Sequence, residues 1–227
     1  MAIGPHSFAV DARGRLHTGV EDGRILRFQG PNPDFTEFAT TSVFRTQEAC
    51  NASTETDSGP ICARPLGIQF YYRTGQLYIA DGTSGLLVVG QNGGNASLEA
   101  TKIDGTLLNS VEALDIDQTN GVVYFSDAGS ILRQTRSNTL QIFKNFEGNL
   151  DSIRRTQLGD FWMAVNVMME PSMLVTLGQR VSELGTIVVI VNLTEVYNTS
   201  IVTQVYEYLG SLYIGSLDEN FVGRYIF

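Results

Sequence analysis

The sequence has 227 residues, which is enough for one large domain or two small ones. Its formal net charge is −9, so a surface that binds nucleic acid is not expected, because such a surface needs an excess of basic residues. Hydrophobic residues make up 43% of the chain and charged residues 17%, which excludes an intrinsically disordered protein.

Five segments share one pattern, in which an alternating apolar run, a turn with glycine and a second alternating run follow one another. In chain order they read GPHSFAVDARGRLHTGV, RPLGIQFYYRTGQLYIADG, VEALDIDQTNGVVYFSDA, LDSIRRTQLGDFWMAVN and VTQVYEYLGSLYIGSL. The alternation predicts two β-strands in each segment, joined by a turn whose glycine supplies a positive φ. These turn glycines are Gly14, Gly75, Gly121, Gly159 and Gly210.

The hairpins recur at intervals typical of a β-propeller, whose blades cannot bury their faces alone and stack around an axis. The segments GRILRFQG, GLLVVGQNGG and GSILRQTRSNTLQIF, after the first three hairpins, are predicted outer strands. We therefore expect an all-β propeller with five readable blade units; a generic antiparallel sandwich is the alternative. Only NVMMEPSMLVTLGQR has a helix-like pattern, and Pro171 interrupts it.

The longest non-repeating segment, about residues 36–63, contains both cysteines, Cys50 and Cys62. In an oxidising compartment they would close the loop as a disulfide, whereas in the cytosol they would remain two thiols. Four N-glycosylation sequons, a modest excess over chance, lie at Asn51, Asn95, Asn192 and Asn198. Together these two cues favour a protein of the vacuole or the extracellular space.

Membrane and export signals are not expected in this chain. Its longest uninterrupted apolar stretch, Ile187 to Val191, is far shorter than the roughly 20 residues of a membrane-spanning helix. The N-terminal residues MAIGPHSFAV have neither the basic nor the apolar region of a signal peptide. We therefore predict no transmembrane segment and no signal peptide.

The stretch from Cys62 to Ala128 resembles the strictosidine synthase-like family of plants, through CARPLGIQF, TGQLYIADGTSGLLVVGQNGG and ALDIDQTNGVVYFSDA. The motifs GPHSFAVD, NLDSIRRTQLGDFW and YLGSLYIGSL are also similar to the family and follow its order. The resemblance implies a six-bladed propeller in the secretory pathway and a disulfide between Cys50 and Cys62. Its founding activity is a Pictet–Spengler condensation that joins tryptamine to the aldehyde of secologanin and gives strictosidine.

Two departures from the family pattern stand out. The family's fourth unit is expected to be missing near residues 131–149, so residues 1–227 form a single, shortened propeller domain. Counting back from the shared LYIG places Thr203 where the synthases carry a glutamate as general base. A threonine hydroxyl cannot take a proton at neutral pH, so we do not expect true strictosidine synthase activity.

A propeller binds its ligand at the axial channel, beside the starts of the innermost strands. The predicted channel residues are His6 with Ser7, Pro65 with Leu66, Glu112, Asp151 with Ser152, and Thr203. His6 is also a candidate acid or base. Glu207, which strict alternation places on the same face as Thr203, is a further candidate carboxylate. A small molecule in this channel is the expected ligand.

The fold is also similar to that of paraoxonases and gluconolactonases, which are calcium-dependent hydrolases. Calcium takes about 6–8 oxygen ligands, and Glu112 and Asp151 are the candidate carboxylates for it. Three functions therefore stay open. The first is a strictosidine synthase-like protein of plant alkaloid or secondary metabolism that needs no cofactor. The others are a calcium-dependent esterase or lactonase, and a non-catalytic glycoprotein that acts as a binding module.

Overall fold

The computed structural model describes residues 4–30, 35–51, 61–108, 110–135, 139–169, 172–216 and 218–227. The chain divides into two compact units, Met1–Val122 and Val123–Phe227. Most of the described residues belong to strands or to the tight turns between them. In this described part of the chain, no helix is long and apolar enough to cross a membrane.

The first two blades belong to the first unit. Their strands are β1 (Phe8–Val10), β2 (Leu16–Gly19), β3 (Arg24–Phe28), β4 (Phe35–Thr40), β5 (Pro65–Tyr71), β6 (Gln76–Asp81), β7 (Gly85–Val89), β8 (Gly94–Asn95) and β9 (Ser97–Ala100). The sheet orders are β1-β2-β3-β4-β8 and β5-β6-β7-β9. β8 pairs parallel with β4, so the connection between β7 and β9 of the second blade adds a short strand to the first blade. Helix α1 (Gln47–Cys50) follows β4, and a small hairpin of β10 (Lys102–Ile103) and β11 (Thr106–Leu107) follows β9.

Three further sheets follow in chain order. Their strands are β12 (Leu114–Ile116), β13 (Val123–Asp127), β14 (Ser130–Gln134), β15 (Leu140–Asn145), β16 (Asn149–Arg155), β17 (Phe161–Met169), β18 (Met173–Val181), β19 (Ile187–Asn192), β20 (Val202–Tyr208), β21 (Ser211–Ser216) and β22 (Gly223–Ile226). The orders are β12-β13-β14-β15, β16-β17-β18-β19 and β20-β21-β22. The five sheets form a five-bladed β-propeller arrangement, which confirms the predicted fold class.

The predicted turns occur where the glycines stand. All five adopt a φ between 73° and 98°, which side chains with a Cβ rarely adopt. Each turn joins the first and second strands of one blade, so the five hairpins of the sequence are the inner halves of the five sheets.

The described residues of the helix-like segment NVMMEPSMLVTLGQR lie mainly in strands β17 and β18, so the helix-like pattern does not correspond to a helix. β17 and β18 pair antiparallel from Phe161↔Val181 to Met169↔Met173. Pro171 lies outside the described residues. A long apolar run is compatible with a buried strand as well as with a helix, and here the pairing of two long strands decides.

The segment predicted as an insertion, 36–63, begins inside a blade. Residues 36–40 belong to β4, which pairs with β3, because their side chains continue the alternation of the first sheet. Cys50 and Cys62 form a disulfide, as the resemblance implied, and both are buried. Residues 52–60, between the two cysteines, lie outside the described ranges.

The third and fourth blades follow each other directly. β15 ends at Asn145 and β16 begins at Asn149, so the connection between them is only a tight turn. The region near 131–149, where the sequence predicted a missing blade, therefore holds strands of these two neighbouring blades.

Each unit contains an apolar core between adjacent blades. In the first unit it consists of Ala9, Ile25, Phe38, Ala39, Ile68, Phe70, Leu77, Ile79, Leu87, Val89 and Ala96. In the second unit, Trp162 and Ala164 of β17 pack with Val202, Val205 and Leu212 of the fifth blade. These shared cores stabilise the packing of adjacent blades, because each sheet buries one face against its neighbour.

Candidate functional site

Three blades carry a β-bulge near the start of their first strand. On β5, β16 and β20 the register advances by two residues against one on the next strand, and the skipped residues are Leu66, Asp151 and Thr203. A bulge leaves one residue unpaired and turns its side chain away from the regular alternation. Three of the positions that the sequence predicted for ligand contact therefore share one backbone feature.

Thr203 is half-buried at the bulge of β20. Its Oγ1 donates a hydrogen bond of 3.3 Å to the carbonyl oxygen of Gly215 on β21. The hydroxyl thus closes the bulge against the neighbouring strand. It is a hydrogen-bonding group, but it does not bring a proton acceptor of carboxylate strength to this position.

Strict alternation does not extend across Thr203. Val202 and Val205 are three residues apart, yet both are buried in the same core, because the bulge shifts the alternation by one residue. The prediction that Glu207 shares a face with Thr203 assumed an unbroken strand. The register of β20 gives that prediction no support.

Glu207 is held by residues of the fourth blade. Trp162 Nε1 donates to its Oε2 at 2.6 Å, and a guanidinium nitrogen of Arg180 lies 3.8 Å from the same oxygen. Arg180 also forms an ion pair with Asp160 at 2.9 Å. Glu207 therefore anchors β20 to β17 and β18, with its acceptor oxygen already engaged.

Asp151 is bonded to a buried asparagine, Asn166 on β17. Asn166 Nδ2 donates to Asp151 Oδ2 at 2.7 Å and to the Val202 carbonyl at 2.9 Å. Its Oδ1 accepts from the Val202 N–H at 3.0 Å. One side chain thus ties the bulge of β16 to the start of β20. Sequence reasoning missed Asn166, although a single amide inside the apolar run FWMAVNVMM is the signal that marks a buried hydrogen-bonding residue.

In the first unit, His6 and Glu112 both lie against β5. His6 Nδ1 is 2.8 Å from the Leu66 carbonyl oxygen, which can only accept, so this nitrogen donates and the neutral ring keeps Nε2 as an acceptor. Glu112 Oε1 accepts from Ser110 Oγ at 2.7 Å. A Cβ placed on Gly67 would lie 2.8 Å from the Glu112 carbonyl oxygen, so only glycine permits this close approach.

Ser7 and Ser152, the two serines predicted to line the channel, have buried hydroxyl groups. The hydroxyl oxygens of Ser7 and Ser152 are buried and make no hydrogen bond with a described residue. His6, Ser7 and Glu112 thus belong to the first unit, and Asp151, Ser152 and Thr203 belong to the second.

Both carboxylates predicted as calcium ligands, Glu112 and Asp151, accept hydrogen bonds within the protein. Within the described ranges, no three His, Cys, Asp or Glu side chains come together in a way that could hold a metal ion. Glu112 is engaged by Ser110, and Asp151 by Asn166. Calcium takes about 6–8 oxygen ligands, so a calcium site that uses Glu112 and Asp151 stays a prediction.

The comparison with solved structures concerns the fold alone. A protein of unknown function from Bacteroides thetaiotaomicron superposes with a TM-score of 0.64 at 11% identity, over 93% of this chain and 56% of that one. The extracellular domain of a one-component system from the same genus and species gives a TM-score of 0.60 at 13% identity, over 93% and 26%.

Sequence comparison is more specific. A family profile described as "Strictosidine synthase-like, N-terminal" matches residues 1–28. Strictosidine synthase of Catharanthus roseus is 39% identical over 128 residues, which is 56% of this chain and 36% of that protein. Protein STRICTOSIDINE SYNTHASE-LIKE 10 of Arabidopsis thaliana is 42% identical over 130 residues, 57% of this chain and 34% of that one. These two matches thus span about a third of the relatives' length.

The alignment with another relative extends along nearly the whole chain. Protein STRICTOSIDINE SYNTHASE-LIKE 11 of Arabidopsis thaliana is 28% identical over 287 residues, which cover 97% of this chain and 87% of the relative. An aligned stretch of 287 residues exceeds the 227 of this chain, so at least 60 residues of the alignment have no counterpart here. From the blade motifs, the fold and these relatives together, the chain is similar to the strictosidine synthase-like family.

Proposed function

We propose that this protein is a member of the family in plant secondary metabolism that binds small organic molecules but does not catalyse the condensation to strictosidine. The observation that carries the proposal is Thr203, a hydroxyl engaged with the Gly215 carbonyl where the synthases carry a glutamate. Its named relatives come from Catharanthus roseus and Arabidopsis thaliana, which supports a role in plant metabolism.

The chemistry of the condensation explains why Thr203 matters. The amine of tryptamine must lose a proton before it attacks the aldehyde, and the ring carbon must lose one at the end. A positioned general base contributes about 10²–10⁴-fold to such steps, and a carboxylate suits the task at neutral pH. Asp151 accepts a hydrogen bond from Asn166, and Glu207 accepts one from Trp162. Neither carboxylate therefore replaces the missing base without rearrangement.

The test is a product assay with purified protein, tryptamine and secologanin, in which strictosidine is measured by mass spectrometry. The Catharanthus roseus synthase under identical conditions is the positive control. We expect no product above the level of a protein-free sample. If the protein makes strictosidine in proportion to its concentration, the proposal is wrong.

We further propose that the protein is a glycoprotein of the vacuole or the extracellular space. The disulfide supports this proposal, because such bonds persist in oxidising compartments. All four sequon asparagines are exposed, as glycosylation requires: Asn51, Asn95, Asn192 and Asn198. In protein isolated from plant tissue, treatment with an N-glycanase should lower the apparent mass; an unchanged mass would contradict the proposal.

A further inference from the structure

The second unit contains a cavity of about 510 Å³ on one face of the fifth blade. Its lining includes Arg154 of β16, Gln204 and Tyr206 of β20, Tyr213 and Gly215 of β21, and Val222. The volume lies in the range of small-molecule sites, roughly 300–1,000 Å³. We propose that this cavity binds an organic carboxylate with a flat aromatic body.

The shape of the cavity follows from the pairing of β20 with β21. Tyr206 lies directly opposite Tyr213, and Gln204 lies opposite Gly215. A Cβ on Gly215 would meet Gln204 Cβ at 3.4 Å and Thr203 Oγ1 at 4.0 Å, which are ordinary contact distances. The space above Gln204 is therefore open because residue 215 has no side chain, and not because the backbone there excludes one.

Arg154 supplies the positive charge. Within the described part of the chain its guanidinium forms no hydrogen bond and no ion pair. The neighbouring Arg155, by contrast, pairs with Glu183. The planar guanidinium presents parallel N–H donors that match the two oxygens of a carboxylate. In a protein of net charge −9, an arginine without a carboxylate partner is a natural binding point for an external anion.

Gln204 supplies a second donor. Its Nε2 is buried and has no hydrogen-bond acceptor among the described residues. A buried amide donor without an acceptor is destabilising, and a rotation of the Gln204 side chain toward a ligand oxygen in the cavity would satisfy it. One guanidinium and one amide match a carboxylate monoanion, whereas a phosphate dianion brings more negative charge than a single cation compensates.

The remaining walls are apolar. Tyr206 is 46% exposed and Val222 is 70% exposed, so both present apolar surface to solvent. Exposed apolar surface around a few converging polar groups is typical of a ligand site. The rings of Tyr206 and Tyr213 in the lining favour a flat aromatic body through offset or edge contacts.

The test is calorimetric titration of the full chain with trans-cinnamate, compared with its neutral analogue cinnamamide. We expect saturable binding of cinnamate that is at least about tenfold tighter than that of cinnamamide, because the amide loses the charge-assisted bonds to Arg154. Equal affinities, or no saturable binding of cinnamate, would overturn the proposal. Tighter binding of phenyl phosphate than of cinnamate would overturn the assignment to carboxylates.

Two variants locate the site. Arg154→Gln should weaken cinnamate binding at least about tenfold, while Arg155→Gln, which changes an arginine paired elsewhere, should leave it within about twofold. Gly215→Val, which fills the floor of the cavity, should also abolish binding. Undiminished binding by both Arg154→Gln and Gly215→Val would refute the cavity as the site. None of these outcomes depends on whether the protein forms strictosidine.

Discussion

His17 illustrates how a residue of catalytic type can serve packing instead. Its sequence position, where the repeat has tyrosine in LYIAD, predicts a packed strand residue, and the ring is 1% exposed. It lies between Phe38 and Phe70, with ring centroids 4.7 and 4.9 Å away. Burial lowers the pKa of His17, against the opposing effects of the Arg15 carbonyl and the Asp11 charge. The folded protein therefore favours the neutral ring.

This lowered pKa predicts a pH-dependent stability. The unfolded chain takes up a proton on His17 near its ordinary pKa of about 6.5, whereas the folded chain does so only at lower pH. The stability that depends on the neutral ring is thus complete above about pH 6.5 and declines as the pH falls through the folded pKa. In urea titrations, the free energy of unfolding should fall more steeply from pH 7 to pH 5 for the wild type than for His17→Phe. Parallel slopes would contradict this account.

At the scale of elements, the bulges and their hydrogen bonds set the geometry of the candidate site. Asn166 connects β17 to the bulge of β16 and to the first residue of β20. The three contacts join two blades through one buried side chain, 5% exposed. Asp151, at the bulge of β16, and Val202, at the start of β20, are therefore held by hydrogen bonds within the protein.

Removing this amide should be costly. Asn166→Leu keeps the approximate volume but leaves the N–H and C=O of Val202 without partners, so we expect a loss of about 2–4 kcal/mol in the free energy of unfolding. Asn145→Leu is the matched control, because Asn145 is exposed and accepts only one described side-chain bond, from Ser130. It should change stability by less than about 0.5 kcal/mol. If urea denaturation gives the same loss in the free energy of unfolding for both variants, the Asn166 hydrogen bonds do not stabilise the protein as proposed.

The element scale also shows what sequence reasoning can reach. Alternation and glycine placement predicted the hairpins, since both are local properties of the chain. The bulges at Leu66, Asp151 and Thr203 were not predictable, because a skipped residue appears only in the register between two strands. For the same reason the supposed common face of Thr203 and Glu207 did not follow from counting. The helix-like pattern near Pro171 did not give a helix, because the antiparallel pairing of β17 with β18 outweighed the local pattern.

At the scale of the whole molecule, two properties set this chain apart from the family pattern. It has five blades where the family has six, and an aligned relative contains at least 60 residues with no counterpart here. It also has a hydroxyl at the position predicted for the general base. The cavity on the fifth blade is formed by two blades, because its walls combine β16 of one blade with β20 and β21 of the next. The propeller fold is thus present, and the proposal that its chemistry differs from that of the synthases rests on Thr203.

The most direct test of this account is the initial rate of strictosidine formation from tryptamine and secologanin, measured with and without the protein. The account predicts that the protein gives no acceleration over the uncatalysed rate, while the Catharanthus roseus synthase accelerates the reaction in the same buffer. Circular dichroism of the same sample should confirm that the protein is folded. Acceleration by the folded wild-type protein that disappears in Asp151→Asn would contradict the account and identify Asp151 as the base.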